Sequence, residues 1–398
     1  MNNIYLTNIN KNNVKLPNIF TNEMNIFSKK VLNYDSNSHS DLLSNRSTVI
    51  NSKNKFITKK TESEILSIFK NFNCQIKFGK KIGQGTFGKV YIGYIDRNKV
   101  AIKQIYLDNR YENREIDILK IISIDNHPNI IKILGVYTSN KNNKIISNII
   151  MEYMPCTLRT IITKLSNLEL RMNTENIQNY MFQLARSLNY LHEKNILHID
   201  LKPENILINC DTKELKLADF GCSKEIINKN KKNTTYIVSR FYRAPELILD
   251  RNLYNNKIDI WSYGCILLEI ALGFTLFVGN DNVEMLVEII KILGTITNND
   301  IKSMKTDIDE ISNFQFPLKE PKPWDNILNI KYKNKIINVS YGDEFNDLVS
   351  KILIWKPNNR LDGFSIMQHK FFEKNNSNIS RLTLEEYNQK NDYMNKFD

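Results

Sequence analysis

The chain has 398 residues, 41% apolar and 25% charged, values ordinary for a soluble globular protein and enough for two packed halves with extensions. Its formal net charge of +12 and pI near 9.2 suit acidic partners, but the lysines are scattered and much of the excess sits in Asn/Lys-rich stretches, which reads as a solvated basic surface and not as a nucleic-acid groove. No apolar run reaches the length of a membrane span, and the five cysteines (Cys74, Cys156, Cys210, Cys222 and Cys265) form no CxxC pair, which argues against a zinc site or a disulfide framework and fits a reducing compartment.

The start, Met1-Asn2-Asn3, has neither the glycine needed for myristoylation nor a signal-type apolar core, so a soluble cytoplasmic or nuclear chain is expected. Residues 1–60 are rich in Asn, Ser and Lys with little periodicity; burial of so few apolar side chains cannot offset the entropy of ordering, and a disordered extension is expected. Residues 61–72 place Ile65, Ile68 and Phe69 on one face and predict a short helix flanking the folded body. The folded region begins at Asn73. Alternation through Ile76 to Phe78, Lys80 to Ile82, Val90-Tyr91-Ile92 to Tyr94 and Lys99 to Ile105, punctuated by glycines, predicts an antiparallel sheet. A helix is predicted over 113–122. After Met151-Glu152-Tyr153-Met154-Pro155 the chain becomes mostly helical: Ile177, Tyr180, Met181, Leu184, Leu188 and Leu191 recur at helical spacing and predict a helix over 175–192, capped by Asn173 or Thr174. The expected architecture is α+β and bilobal, with a small β-rich lobe over 73–154, a larger helical lobe over 155–373, a cleft between them, and a polar tail over 374–398.

Four short stretches carry the chemistry. In Gly83-Gln84-Gly85-Thr86-Phe87-Gly88-Lys89-Val90, three glycines allow close approach of a backbone to phosphates. A dinucleotide-binding turn opens a helix; here Val90-Tyr91-Ile92 continues as strand, so the loop reads as a hairpin lid. In Val100-Ala101-Ile102-Lys103 a strand period of two puts Lys103 on a face shared with Ala101 and Ile105. Glu115 falls on the apolar stripe of the following helix with Ile118, Leu119 and Ile122. Two opposite charges directed inward offset each other's desolvation if they pair. In His198-Ile199-Asp200-Leu201-Lys202-Pro203-Glu204-Asn205, Asp200 is placed to accept or orient a hydroxyl proton, Lys202 to neutralise a terminal phosphate and Asn205 to ligate a metal. Asp219 of Asp219-Phe220-Gly221 follows a strand and is the second metal-ligand candidate. Two hard oxygen ligands suit Mg²⁺, which keeps waters and takes phosphate oxygens.

In this order the stretches resemble the eukaryotic protein-kinase signature set. Ala244-Pro245-Glu246, Asp259-Ile260-Trp261-Ser262-Tyr263-Gly264 and Arg360 are similar to the elements that brace the activation segment, with Glu246 expected to pair with Arg360. The resemblance spans about Asn73 to Glu373 and implies transfer of the ATP γ-phosphoryl group to Ser/Thr hydroxyls of proteins, with ATP and Mg²⁺ as cofactors. It implies a nucleotide site at Ile82, Gly83, Gly85, Gly88, Val90, Ala101, Lys103, Met151, Glu152 and Met154, the last two through backbone groups. Asn113-Arg114-Glu115, Tyr236, Ser239-Arg240-Phe241-Tyr242-Arg243, Val287-Glu288-Ile289-Ile290-Lys291-Ile292-Leu293-Gly294-Thr295 and Phe314-Gln315-Phe316-Pro317 resemble the glycogen synthase kinase 3 (shaggy-type) family of the CMGC group. In that family Tyr236's counterpart is an activation-loop phosphosite. The stripe of Val283, Leu286, Val287, Ile290, Phe314 and Phe316 is similar to its groove for a scaffold peptide helix, with C-lobe packing the alternative. A monomer acting on protein substrates is implied.

One position departs from the family. The usual Arg between His198 and Asp200 is Ile199. In the family that Arg joins two further cations, here Arg114 and Lys224, in binding a priming phosphate on the substrate. An isoleucine offers no charge-assisted contact, so a weakened preference for primed substrates is expected. Thr234-Thr235-Tyr236 also fits a mitogen-activated kinase, and Ile199 also fits a pseudokinase scaffold. Against the first stands the stretch from Val287 to Thr295; against the second, intact Lys103, Glu115, Asp200, Asn205 and Asp219.

Overall fold

The computed structural model describes residues 76–85, 88–106, 114–141, 144–226, 239–249, 254–304, 316–329, 331–332, 335–336 and 340–373, all within one compact unit. The expected extension and flanking helix over 1–72, the tail over 374–398, Tyr236 and Phe314 lie outside these residues.

The β-rich half is a five-stranded antiparallel sheet in the order β1-β2-β3-β5-β4, formed by β1 (Ile76–Gly85), β2 (Gly88–Ile95), β3 (Asn98–Tyr106), β4 (Ile133–Lys141) and β5 (Lys144–Glu152). One face of β3 sends Val100 and Ile102 into a cluster with Ile150, flanked by Ile76, Ile95, Leu134 and Tyr137. The opposite face carries Ala101 and Lys103, also buried. Beside the sheet lies α1 (Arg114–Ser123), whose buried residues are Glu115, Ile118, Leu119 and Ile122, the stripe expected from spacing.

The helical half opens with β6 (Cys156–Thr157) and α2 (Leu158–Asn167), followed by α3 (Thr174–Glu193). Asn173, not Thr174, caps α3, its Oδ1 accepting the Asn176 N–H at 2.9 Å. Next come β7 (Ile196–Leu197), β8 (Ile206–Asn209), β9 (Glu214–Leu217), β10 (Lys224–Glu225), α4 (Pro245–Ile248) and α5 (Lys257–Leu272). Every residue of α5 from Ile258 to Leu272 is buried; a helix without a polar face belongs at the centre of a core. The remaining α-helices among the described residues are α6 (Asn282–Leu293), α7 (Asn298–Ser303), α8 (Trp324–Leu328), α9 (Asp343–Ile352) and α10 (Gly363–Met367). Among the described residues, no helix is long and apolar enough to cross a membrane.

Burying α5 means that its charged side chains must be answered. Asp259 accepts the main-chain N–H groups of His198 (2.9 Å) and Ile199 (2.8 Å) and pairs with His192 Nε2 at 3.0 Å. Burial alone would raise its pKa, but the His192 hydrogen bond and charge, with the backbone donors, hold it below the ordinary aspartate value. Glu269, with no exposed surface, accepts Tyr242 Oη at 2.5 Å, Thr275 Oγ1 at 2.9 Å and the Arg159 guanidinium.

Arg360 and Glu246 form a bidentate pair at 2.7 and 2.8 Å. The other guanidinium donors reach the carbonyls of Ile354, Lys257 and Trp355, so all five N–H groups have acceptors. The guanidinium also lies 5.0 Å from the Trp261 ring centroid. Glu246→Gln or Arg360→Met leaves one buried partner uncompensated and is expected to destabilise the helical half by about 3–5 kcal/mol. Urea unfolding would show this as a lower midpoint at unchanged slope.

Candidate active site

Lys103 is the residue around which the site closes. It sits on β3 with Val90 opposite on β2 and Ile149 opposite on β5. Its Nζ is 2.5 Å from Glu115 Oε1 on α1 and 2.8 Å from Asp219 Oδ1, which follows β9. Burial works against the charge on Lys103, yet the Glu115 and Asp219 carboxylates outweigh it and raise its pKa. Burial lifts Glu115 above the usual carboxylate value, and Lys103 pulls it only part of the way back. For Asp219 the balance falls the other way: burial is outweighed by Lys103, and the carboxyl is held below its ordinary value. One lysine therefore faces two carboxylates, and Asp219 retains 34% side-chain exposure.

The glycine stretch divides into two kinds of position. A Cβ on Gly88, at φ +153°, would lie 2.2 Å from the Gln104 carbonyl oxygen, so the fold itself requires glycine there. A Cβ on Gly85 would meet nothing within 4 Å, and on Gly83 only Val90 at ordinary contact distance. Among the described residues nothing demands glycine at those two, and open backbone there could admit the close approach of a ligand. Ile82 is exposed, whereas Val90, Met151 and Met154 are half-buried; Ala101, opposite Met151, is buried. The Glu152 N–H is taken by the Lys132 carbonyl at 3.0 Å, so what Glu152 offers along the main chain is its carbonyl.

Asn205 and Asp219 are brought together by strand register. Ile206 pairs with Leu217 in the β8–β9 hairpin, so the residue before β8 and the residue two after β9 share one end, where the Ala218 N–H donates to the Asn205 carbonyl at 2.9 Å. The Asn205 side-chain Nδ2 donates to the Asp200 carbonyl at 2.7 Å, which turns the amide by its donor end and leaves the oxygen end as the one that could ligate a metal. No group of three or more His, Cys, Asp or Glu suited to a metal occurs among the described residues. An amide and a carboxylate alone fit Mg²⁺, which draws its other ligands from phosphate and water.

Asp200 is buried, and both oxygens of its carboxylate accept hydrogen bonds. Oδ2 accepts Lys202 Nζ at 2.6 Å and Asn205 Nδ2 at 3.3 Å; Oδ1 accepts both the main-chain N–H (3.1 Å) and the hydroxyl (3.0 Å) of Ser239. The role of Ser239 was not legible in the sequence. It depends on Tyr242, whose carbonyl accepts Ser262 Oγ at 2.7 Å and whose hydroxyl is fixed by Glu269 and, at 2.6 Å, by Arg159. No local pattern pairs positions this distant in the chain.

Ile199 sits at φ +71°, 8% exposed. That conformation is costly for a β-branched residue, by about 1–3 kcal/mol, and is held by the Asp259 carboxylate on its N–H. Arg114, exposed, and Lys224, half-buried, belong to elements that pack on each other, α1 and β10. Of the α6 stripe, Leu286 and Ile290 are buried in the body and are core residues; Val283, Val287 and Phe316 are half-buried.

Lys103→Met removes the cation that holds Glu115 down from an already raised value. The folded state then binds more protons than the unfolded chain, so the variant's stability falls as pH rises above the ordinary glutamate value of 4.5 and through the folded value. Denaturant unfolding at about pH 5 and about pH 8 is expected to show a larger loss across that interval in the variant than in the wild type.

Residues 76–372 match the family described as "Protein kinase domain". "Glycogen synthase kinase 1" of Pyricularia oryzae is 36% identical over 298 residues, covering 74% of this chain and 71% of that protein. "Protein kinase gsk3" of Schizosaccharomyces pombe is 37% identical over 299 residues, covering 74% of this chain and 73% of that protein. With the paired Lys103 and the Asp200 cluster already in place, these likenesses identify the chain as a member of the protein kinases and, within them, of the glycogen synthase kinase 3 type of serine/threonine kinase.

Proposed function

We propose that this serine/threonine kinase works through Lys103, Glu115, Asp200, Lys202, Asn205 and Asp219, and that it depends less than its family on primed substrates. The observation that carries the first part is the Lys103 contact with both Glu115 and Asp219 while Asp200, Lys202 and Asn205 form a second cluster on the adjoining loop. When bound, the magnesium nucleotide supplies the phosphoryl group and the divalent charge that offsets its oxygens. Asn205 and Asp219 would hold the metal; Gly83, Gly85, Val90, Ala101, Met151 and Met154 would enclose the nucleotide. Lys103, kept charged and oriented by Glu115, would hold the inner phosphates. Asp200 orients the substrate hydroxyl and takes its proton as the oxygen–phosphorus bond forms and the bond to the departing diphosphate breaks; Lys202 offsets the charge on the transferred group. Catalysis of this kind is positioning and electrostatics, and each charged participant is present. Activity is read as ³²P transfer from [γ-³²P]ATP to a serine peptide. Asp200→Asn is expected to lower kcat by about 10²–10⁴-fold; wild-type protein that labels no substrate overturns the assignment.

Ile199 supports the reading on priming, since it supplies no third donor to act with Arg114 and Lys224. A charge-assisted hydrogen bond contributes about 1.5–3 kcal/mol. Ile199→Arg is therefore expected to raise the primed-to-unprimed ratio of kcat/KM about tenfold or more. A wild-type ratio already above about 100 contradicts the proposal. Tyr236 as a phosphosite, a scaffold helix at Val283, Val287 and Phe316 and a monomeric state belong to the same proposal and rest on the family likeness; a cytoplasmic or nuclear location is proposed with them.

A further inference from the structure

Two cysteines that are 54 positions apart face each other. Cys156 opens β6, two residues after Met154, in the segment that links the sheet half to the helical half. Cys210 lies immediately after β8. In the antiparallel β6–β8 pair Cys156 is opposite Ile208, so Cys210, two residues further on, falls on the same side as Cys156. Their Sγ atoms are 3.7 Å apart, and Cys156 Sγ also donates to the Ile208 carbonyl at 3.2 Å. Cys210 is exposed and Cys156 half-buried, whereas Cys265 is enclosed in α5.

We propose that Cys156 and Cys210 are a thiol pair that hydrogen peroxide converts to a reversible disulfide, tying the segment between the two halves to the β8–β9 hairpin that carries Asn205 and Asp219 at its end. The oxidant reaches Cys210 first. Its thiolate attacks the peroxide; a sulfur–oxygen bond forms, the oxygen–oxygen bond breaks, and hydroxide leaves and takes up the proton released by the thiol. The Cys156 sulfur then attacks the Cys210 sulfenic acid, giving up its own proton as the sulfur–sulfur bond forms and water departs. Two thiols and one peroxide thus yield one disulfide and two waters. Burial, with the neighbouring Cys210, pushes the Cys156 thiol up to about 12, which fits it to the resolving role and not to the first attack. Forming the bond closes the sulfur separation by roughly 1.7 Å. Cys210 stands in the turn after β8, outside the paired strand residues, and is the side free to move.

The test treats the full chain with hydrogen peroxide, blocks free thiols, and maps peptides without reductant. The expected result is a loss of about 2 Da and a Cys156–Cys210 cross-linked peptide, both reversed by dithiothreitol. In Cys156→Ser the resolving thiol is missing, and Cys210 is expected to take up dimedone as its sulfenic acid. Wild-type protein whose Cys210 accumulates dimedone or sulfinic acid with no cross-link overturns the proposal, as does a cross-link joining either residue to another cysteine. The wild-type map decides the matter without relying on the variant's folding.

Discussion

A buried lysine that must keep its charge is the constraint on which the molecule's organisation turns. Lys103 would lose its proton in an apolar interior, and it retains it because Glu115 and Asp219 meet it from two other elements. Glu115 arrives on α1 and Asp219 on the segment after β9, so one point charge joins the sheet, the helix beside it and the floor of the helical half. The ion pairs here are weak evidence for stability, because desolvation consumes much of the Coulombic gain. What they secure is position: a cation directed into the cleft, with a partly exposed carboxylate beside it.

The same logic governs the helical half. α5 is buried along its length, yet it carries Asp259 and Glu269 inward. Neither charge is idle. Asp259 gathers the main chain at His198 and Ile199, and Glu269 gathers Tyr242, Thr275 and Arg159. The loop carrying Asp200 and the segment carrying Ser239 are thereby fixed to one helix, and their meeting at the Asp200 carboxylate follows from that common anchor. The positive φ of Ile199 is the local cost of this arrangement. It belongs to the backbone's attachment to Asp259.

Substitution at Ile199 and pairing at Cys156 and Cys210 separate the core of the machinery from its periphery. The charged groups proposed to transfer a phosphoryl group keep the types and order of the kinase signature set. Position 199, proposed above to bear on primed substrates, carries Ile in place of Arg, and a thiol pair stands where strand register brings two loop-edge residues together. Neither position is among the groups proposed to perform the transfer.

The sequence by itself determined the elements whose signals are local. Period-two alternation marked β3, helical spacing placed Glu115 on the buried stripe of α1, and the order of glycines, Lys103, Asp200 and Asp219 pointed to the family. Local signals also narrowed the α3 cap to two residues, between which a single hydrogen bond chose Asn173. Tertiary structure alone decided that Gly88 answers to the Gln104 carbonyl while Gly85 answers to none of the described residues, that Leu286 and Ile290 belong to the core, and that Ser239 rests on Asp200. It also decided that Cys156 faces Cys210. The reason is common to all of these: side-chain periodicity is written within a few residues of chain, whereas strand register and the pairing of buried charges are settled only when distant segments compete for the same space and the same hydrogen bonds.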